Sequence, residues 1–278
     1  MNILTDPEHL KNLMHSLHLK PKDYMGQNFL ISQDVINEII TAAEIRPTDT
    51  IVEIGPGLGV LTQVLVEKAK KVIAIEKDKT FIPVLKNYFK SDPRLEIIES
   101  DVLKFNFESL PKSYKIVSNI PYYLTSHLLQ NLLALKNKPS RIVLMVQKEV
   151  GERLTASPGA LSILGISVQI LADVEIATNV LKQNFWPKPK VDSAIVVITP
   201  KNKFPEIRDE KLFFRILKIA FAGKRKQLHN TLQNGLKLSK ASVEKLLGEA
   251  GVPTSARPQE LTIPQWISIY NLISRSQG

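Results

Sequence analysis

Ile51-Val52-Glu53-Ile54-Gly55-Pro56-Gly57-Leu58-Gly59 runs from a short β-branched apolar stretch straight into three alternating glycines. Ile51 to Ile54 has the composition of a strand buried on both faces, and Val60 to Lys68 behind the glycines reads as a helix. Glycine at a strand-to-helix turn lets the backbone bend sharply and pass close to a ligand, because no Cβ intervenes. Working outward, runs at Val72 to Ile75, Leu95 to Ile98, Ile116 to Val117 and Ile142 to Val146 repeat the strand signal. Helical stretches at Thr80 to Phe89 and Thr125 to Leu135 alternate with them. That alternation predicts an α/β fold built on a doubly wound sheet. Asp173 to Ala177 and Ser193 to Thr199 follow one another with no helix between, and are expected as an antiparallel pair at one sheet edge.

Before the sheet, apolar spacing at Leu10, Leu13, Met14 and Leu17 suits a short amphipathic helix ended by Pro21. Ser32 or Asp34 is placed to cap a second helix with Val35, Ile36, Ile39 and Ile40 on its apolar face. After Pro200 the strand signal stops. Lys211 to Ala222, Arg225 to Gly235, Lys240 to Glu249 and Pro264 to Ser274 read as helices, with Gly223, Gly251 and Pro253 as breaks. Two domains are therefore expected, residues 1–200 and 201–278, with the boundary at Pro200 to Pro205.

The 278-residue chain carries a formal charge of +10, and the excess is uneven. Residues 201–278 hold 14 Lys+Arg against 6 Asp+Glu, whereas residues 1–200 hold 23 against 21. A basic tail beside a near-neutral body suits attraction to a polyanion such as nucleic acid. With no cysteine, a disulfide framework, a thiolate nucleophile and a Cys-ligated zinc are all excluded. The five histidines His9, His15, His18, His127 and His229 show no metal-ligand spacing, so no metal is expected. Met1 to Lys20 lacks the apolar core of a secretory signal, and no stretch approaches the ~18 apolar residues of a spanning helix. A reducing cytoplasmic setting without membrane attachment is the expectation.

The glycines sit where a doubly wound sheet binds ligands, at the carboxyl end of a strand. A dinucleotide fingerprint would need glycine at position 60, which is Val60, and no GxxxxGK[ST] phosphate loop occurs anywhere in the chain. The spacing fits a nucleoside cofactor without a pyrophosphate. Glu76 closes the second strand 21 residues past Gly55, about where an acidic residue bonds ribose hydroxyls in such sheets. Asp101, after the third strand, is placed to accept from the exocyclic amine of an adenine. Acidic residues at strand ends are often plain helix caps. The conjunction with the glycines is what points to a methyl-donor pocket.

Asn119-Ile120-Pro121-Tyr122 follows the fourth strand. An exocyclic adenine amine is a poor nucleophile because its lone pair is delocalised into the ring. Two acceptors around the nitrogen hold both protons and direct the lone pair outward, and the Asn119 side-chain carbonyl and the Ile120 main-chain carbonyl suit that task. Pro121 restricts Ile120 to extended geometry and fixes its own φ. Tyr122 offers a ring for an extruded base.

Gly26-Gln27-Asn28-Phe29-Leu30, Glu53 to Gly59, Ala74-Ile75-Glu76, Asp101, Asn119 to Tyr122 and Phe185-Trp186-Pro187-Lys188-Pro189-Lys190-Val191-Asp192-Ser193 appear in one order along nearly the whole chain. In these stretches the chain resembles the ribosomal RNA adenine dimethyltransferase family of the bacterial KsgA type. The resemblance implies a Rossmann-like class I methyltransferase sheet with a small all-helical C-terminal domain. It implies methyl transfer from S-adenosylmethionine to N6 of two adjacent adenosines near the 3′ end of small-subunit ribosomal RNA, by a monomer acting on that RNA or on the immature small ribosomal subunit. It further implies that Asn28 and the Leu30 backbone contact the cofactor, that Gly55 and Gly57 line its floor, and that Glu76 holds its ribose and Asp101 its adenine. Asn119 then touches both cofactor and target amine, and Phe185 closes on the flipped adenine opposite Tyr122. Asp23-Tyr24-Met25 depart from the basic residues that the family carries before Gly26.

Phosphate contacts are expected from Lys224, Arg225 and Lys226 in the tail and from Lys188 and Lys190 beside Phe185. The sulfonium of the cofactor already carries an activated methyl, so alignment suffices and no dedicated general base is needed. Three other readings share parts of this pattern: a relative acting on large-subunit RNA, a ribosome-assembly protein with lapsed activity, and a methyltransferase for DNA adenine or protein glutamine.

Overall fold

The computed structural model describes residues 3–22, 25–90, 92–201, 204, 207–223 and 226–277. Lys224 and Arg225, expected at RNA phosphates, lie outside the described residues, as do Asp23 and Tyr24. The chain forms two compact units, one of Met1–Gly151 with Asp173–Pro200, the other of Glu152–Ala172 with Lys201–Gly278.

The first unit opens with α1 (Pro7–Ser16), capped by the Asp6 carboxylate, then β1 (Phe29–Leu30) and α2 (Gln33–Ala43), capped by Ser32. Strands and helices then alternate: β2 (Thr50–Ile54), α3 (Val60–Lys68), β3 (Lys71–Glu76), α4 (Ile82–Phe89), β4 (Leu95–Glu99), β5 (Lys115–Asn119), α5 (Thr125–Ala134) and β6 (Arg141–Gln147). After α6 (Lys148–Leu154), and α7 (Ile163–Gln169) of the second unit, the first unit resumes with β7 (Ala172–Val180), β8 (Phe185–Trp186) and β9 (Ser193–Pro200). The sheet order is β4-β3-β2-β5-β6-β9-β7. Ladders from β4 through β6 are parallel, and β9 runs antiparallel to β6. The inner strands β2, β3, β5 and β6 are almost wholly buried, which is why their sequences are continuous apolar runs. β4 and β7 form the edges: β7 alternates half-buried with exposed positions, and β4 holds no fully buried residue.

Two features of this sheet position the site. The strand order reverses between β2 and β5, so a crevice lies at their carboxyl ends. The β2–β5 ladder ends at Val52 and Ile116, and the Ile54 N–H donates instead to Ser118 Oγ at 2.7 Å. A separate two-stranded sheet pairs β1 with β8 antiparallel, Phe29 opposite Trp186 and Leu30 opposite Phe185. It joins segments more than 150 residues apart in sequence.

The second unit is helical, with α8 (Glu210–Ala220), α9 (Leu228–Leu236), α10 (Lys240–Glu249) and α11 (Ile263–Gln277) around Phe213, Leu217, Trp266 and Tyr270. The expected division at residue 200 needs one correction. Residues 152–172 group with the tail, because Leu161, Ile166 and Ile170 are buried in the same apolar cluster as Phe213 and Trp266. Among the described residues no helix is long and apolar enough to cross a membrane.

Candidate active site

A cavity at the carboxyl ends of β2 to β5 is walled by residues 25–30, the Gly55–Gly57 turn, Glu76, Asp101 and Asn119–Leu124. Gly55 and Gly57 hold φ of 68° and 57°, left-handed geometry that favours glycine. A Cβ on Gly57 would lie 3.0 Å from the Phe29 ring, and one on Gly55 would reach Pro121 at 3.9 Å. The glycine turn is thus packed tightly against Phe29 of β1 and faces the Asn119–Tyr122 turn across ordinary contact distance.

Glu76 is 6% exposed, and its two oxygens accept from the Gly57 N–H at 3.0 Å and the Asp78 N–H at 2.7 Å. Burial pushes its carboxyl upward against those bonds. Backbone N–H groups thus fix this carboxylate in the cavity lining. Asp101 caps a single 3-10 turn through the Leu103 N–H and pairs with Lys77 Nζ at 2.9 Å. The Lys77 ammonium holds its carboxyl below the usual range. Capping and cavity lining coexist in this one residue.

Asn119 ends β5, and its Nδ2 donates to the Asn28 carbonyl at 3.1 Å. A backbone carbonyl only accepts, so the amide is oriented with Nδ2 toward Asn28, which leaves Oδ1 as its acceptor. Ile120 lies one residue past the last β5–β6 pair, Asn119 opposite Met145, so its carbonyl is outside the ladder. Asn28 is braced by its own bond from Nδ2 to the Gly26 carbonyl at 3.1 Å. The Tyr122 hydroxyl lies 2.7 Å from Ser193 Oγ. Burial raises the phenol, which stays protonated at neutral pH. Tyr123 is 60% exposed at the cavity mouth.

The structure therefore gathers Asn28, Leu30, Gly55, Gly57, Glu76, Asp101, Asn119, Ile120, Pro121 and Tyr122 around one cavity. Phe185 is not among its lining residues. Its ring is 2% exposed in the apolar core beside Leu30, its pairing partner, so the expected open stacking face is not presented in this arrangement. Lys188 and Lys190 are exposed and away from the cavity lining, and Lys226 is exposed in the helical unit.

Two further carboxylates have no role read from the sequence: Glu53, in the cavity lining, and Asp78, beside it. Glu53 is fully buried at the cavity, and its Oε2 has no hydrogen-bond partner among the described residues. Burial, with the Glu76 charge adding to it, pushes its carboxyl up to about 8. At neutral pH this acid is therefore held mostly in its neutral, protonated form. Asp78 accepts from Lys22, Gln27 and Thr80. Burial alone would raise its carboxyl, and these donors outweigh burial and bring it to about 2.

A glycine turn after β2, carboxylates at the ends of β3 and β4 and an amide at the end of β5, on a seven-stranded sheet with β9 reversed, are the arrangement of a class I S-adenosylmethionine-dependent methyltransferase. The ribosomal RNA adenine dimethylase family profile matches residues 17–275, and the chain belongs to that family. A ribosomal RNA small subunit methyltransferase A from Dehalococcoides mccartyi is 40% identical over 260 residues, covering 92% of this chain and 89% of the relative. One from Alkaliphilus metalliredigens is 36% identical and covers 100% of both chains. The crystal structure of a dimethyladenosine transferase from Plasmodium falciparum matches with TM-score 0.77 at 29% identity, covering 90% of this chain and 98% of that one. The 23S rRNA methyltransferase ErmE matches with TM-score 0.71 at 26% identity, covering 89% and 100%.

Proposed function

We propose that this chain methylates N6 of two adjacent adenosines near the 3′ end of small-subunit ribosomal RNA, with S-adenosylmethionine as donor. The observation that carries this reading is the Asn119 amide, oriented by the Asn28 carbonyl so that Oδ1 is its acceptor in the cavity that also holds Glu76 and Asp101. When bound, the donor supplies a methyl group already activated by a sulfonium. The chain supplies alignment. Glu76 is assigned to the ribose hydroxyls and Asp101 to the adenine amine, while Gly55 and Gly57 let the backbone approach and Asn28 and Leu30 form the opposite wall. Asn119 Oδ1 and the Ile120 carbonyl hold the two protons of the target amine. Pro121 fixes that carbonyl, Tyr122 supports the base, and Phe185 backs the wall from the core. No side chain is needed as base, because a methylated amine that is still cationic releases its proton to water.

Residues 1–151 with 173–200 are assigned to methyl transfer, and the basic helical unit to ribosomal RNA. Lys224, Arg225 and Lys226 of the helical unit, with Lys188 and Lys190 of the methyl-transfer unit, are the proposed phosphate contacts. The enzyme is proposed to act as a cytoplasmic monomer on the immature small subunit. The test is to offer radiolabelled methyl donor to unmethylated small and large subunits and to analyse the nucleosides. Label in dimethyladenosine of the small-subunit RNA is expected. Label confined to the large subunit would move the assignment to the activity named for ErmE, and no label in either would reject it.

A further inference from the structure

Asp78 lies two residues past Glu76, with its side chain 4% exposed. Its N–H donates to Glu76 Oε1 at 2.7 Å, which ties it to the ribose acceptor. Its carboxylate takes Lys22 Nζ at 2.8 Å on both oxygens and Gln27 Nε2 at 2.8 Å on Oδ2. Lys22 and Gln27 are themselves joined, because Gln27 Oε1 accepts from the Lys22 N–H at 2.9 Å. A closed triangle of Lys22, Gln27 and Asp78 thus holds the chain just before Asn28. Asn28 is the residue whose carbonyl receives Asn119 Nδ2, and Gly26 faces Pro121, with which an added Cβ would make ordinary contact at 3.5 Å.

We propose that Asp78 is a positioning residue for methyl transfer: by anchoring Lys22 and Gln27 it fixes the Asn28 carbonyl, and through it the rotation of the Asn119 amide that presents Oδ1 to the target amine. This rests on the role proposed for Asn119. The geometry makes Asp78 a junction between the cofactor side, through Glu76, and the amine side, through Asn119. A neutral acceptor in its place would keep part of the triangle, while removal of the side chain would release both Lys22 and Gln27. Misplacing a reacting group by about 1 Å costs on the order of 100-fold in rate, so the effect belongs in turnover.

The experiment measures single-turnover methyl transfer to unmethylated small subunits, normalised to cofactor-binding sites, for wild type, Asp78→Ala, Asp78→Asn, Gln27→Ala and Gln27→Ala/Asp78→Ala. Asp78→Ala is expected to slow the chemical step by about 10- to 100-fold with small-subunit affinity unchanged, and Asp78→Asn to recover part of it. The double variant should be no slower than Asp78→Ala, because both changes cut one path. A purely structural role would lower the melting temperature and the fraction of active sites but leave turnover per site at the wild-type value, and that result overturns the proposal. Additive losses in the double variant overturn it too. If Asp78→Ala does not fold, Lys22→Met with Gln27→Ala carries the same comparison. Wild-type protein that fails to label small subunits would instead sink the underlying reading.

Discussion

The Tyr122 hydroxyl and Ser193 Oγ, 2.7 Å apart, join the turn after β5 to the first residue of β9. Ser193 is 0% exposed, so its hydroxyl has no water to turn to and fixes the phenol, and hence the ring, at the cavity wall.

Ser193→Ala should therefore leave the Tyr122 hydroxyl without its partner, at a cost of about 1 to 3 kcal/mol, and should raise KM for RNA more than it changes cofactor affinity. Tyr122→Phe/Ser193→Ala removes both polar groups and is expected to restore much of the stability. Thermal unfolding and steady-state kinetics on the single and double variants check this.

Glu53 makes the stability of the cofactor-free protein depend on pH. Its carboxyl is raised from 4.5 to about 8, so between these values the folded state holds a proton that the unfolded state has released. The contribution is complete below 4.5 and is lost as pH rises through about 8. Glu53→Gln cannot ionise. At pH 5 it should match wild type, and at pH 8.5 it should be more stable by on the order of a few kcal/mol. Melting curves that stay parallel across that range would contradict the assignment.

Gly57→Ala places a side chain at φ 57° and 3.0 Å from Phe29, whose ring stacks on Trp186 and meets Phe81 edge-on. The left-handed backbone alone costs about 1 to 2 kcal/mol of folding stability, and relief of that strain by moving the turn should lower cofactor affinity by calorimetry, about tenfold for each 1.4 kcal/mol. An unchanged affinity would show that the turn does not approach the ligand.

RNA affinity should drop steeply with salt, and replacing Lys188 and Lys190 with alanine should reduce the slope of log K against log salt by about 1 for each phosphate that is no longer neutralised. Filter binding across a salt series measures it. A flat response would remove the electrostatic assignment.

The central sheet was legible because strands buried on both faces must be continuous apolar runs, and the Gly55–Gly59 turn and Glu76 mark where they end. Ser32 as a cap and the span of α3 were legible for equally local reasons. The two-residue strands β1 and β8 were not, since neither has a periodicity of its own and each exists only through the other. That pairing is also why Phe185, read as an open ring, is buried. Residues 152–172 belong with the helical unit through the apolar face of Ile166 and Ile170, which the sequence does not tie to either domain. Asp78 carries no local signal of its role, because its partners Lys22 and Gln27 are more than 50 residues away.

The most direct test of the account is single-turnover methyl transfer by Asn119→Ala, with cofactor and small-subunit binding measured alongside. Removing an acceptor used mainly in the transition state should slow transfer by about 100-fold or more, while the small subunit still binds. Transfer within about twofold of wild type, well short of the tenfold that about 1.4 kcal/mol represents, would show that the amide at residue 119 does not hold the target amine.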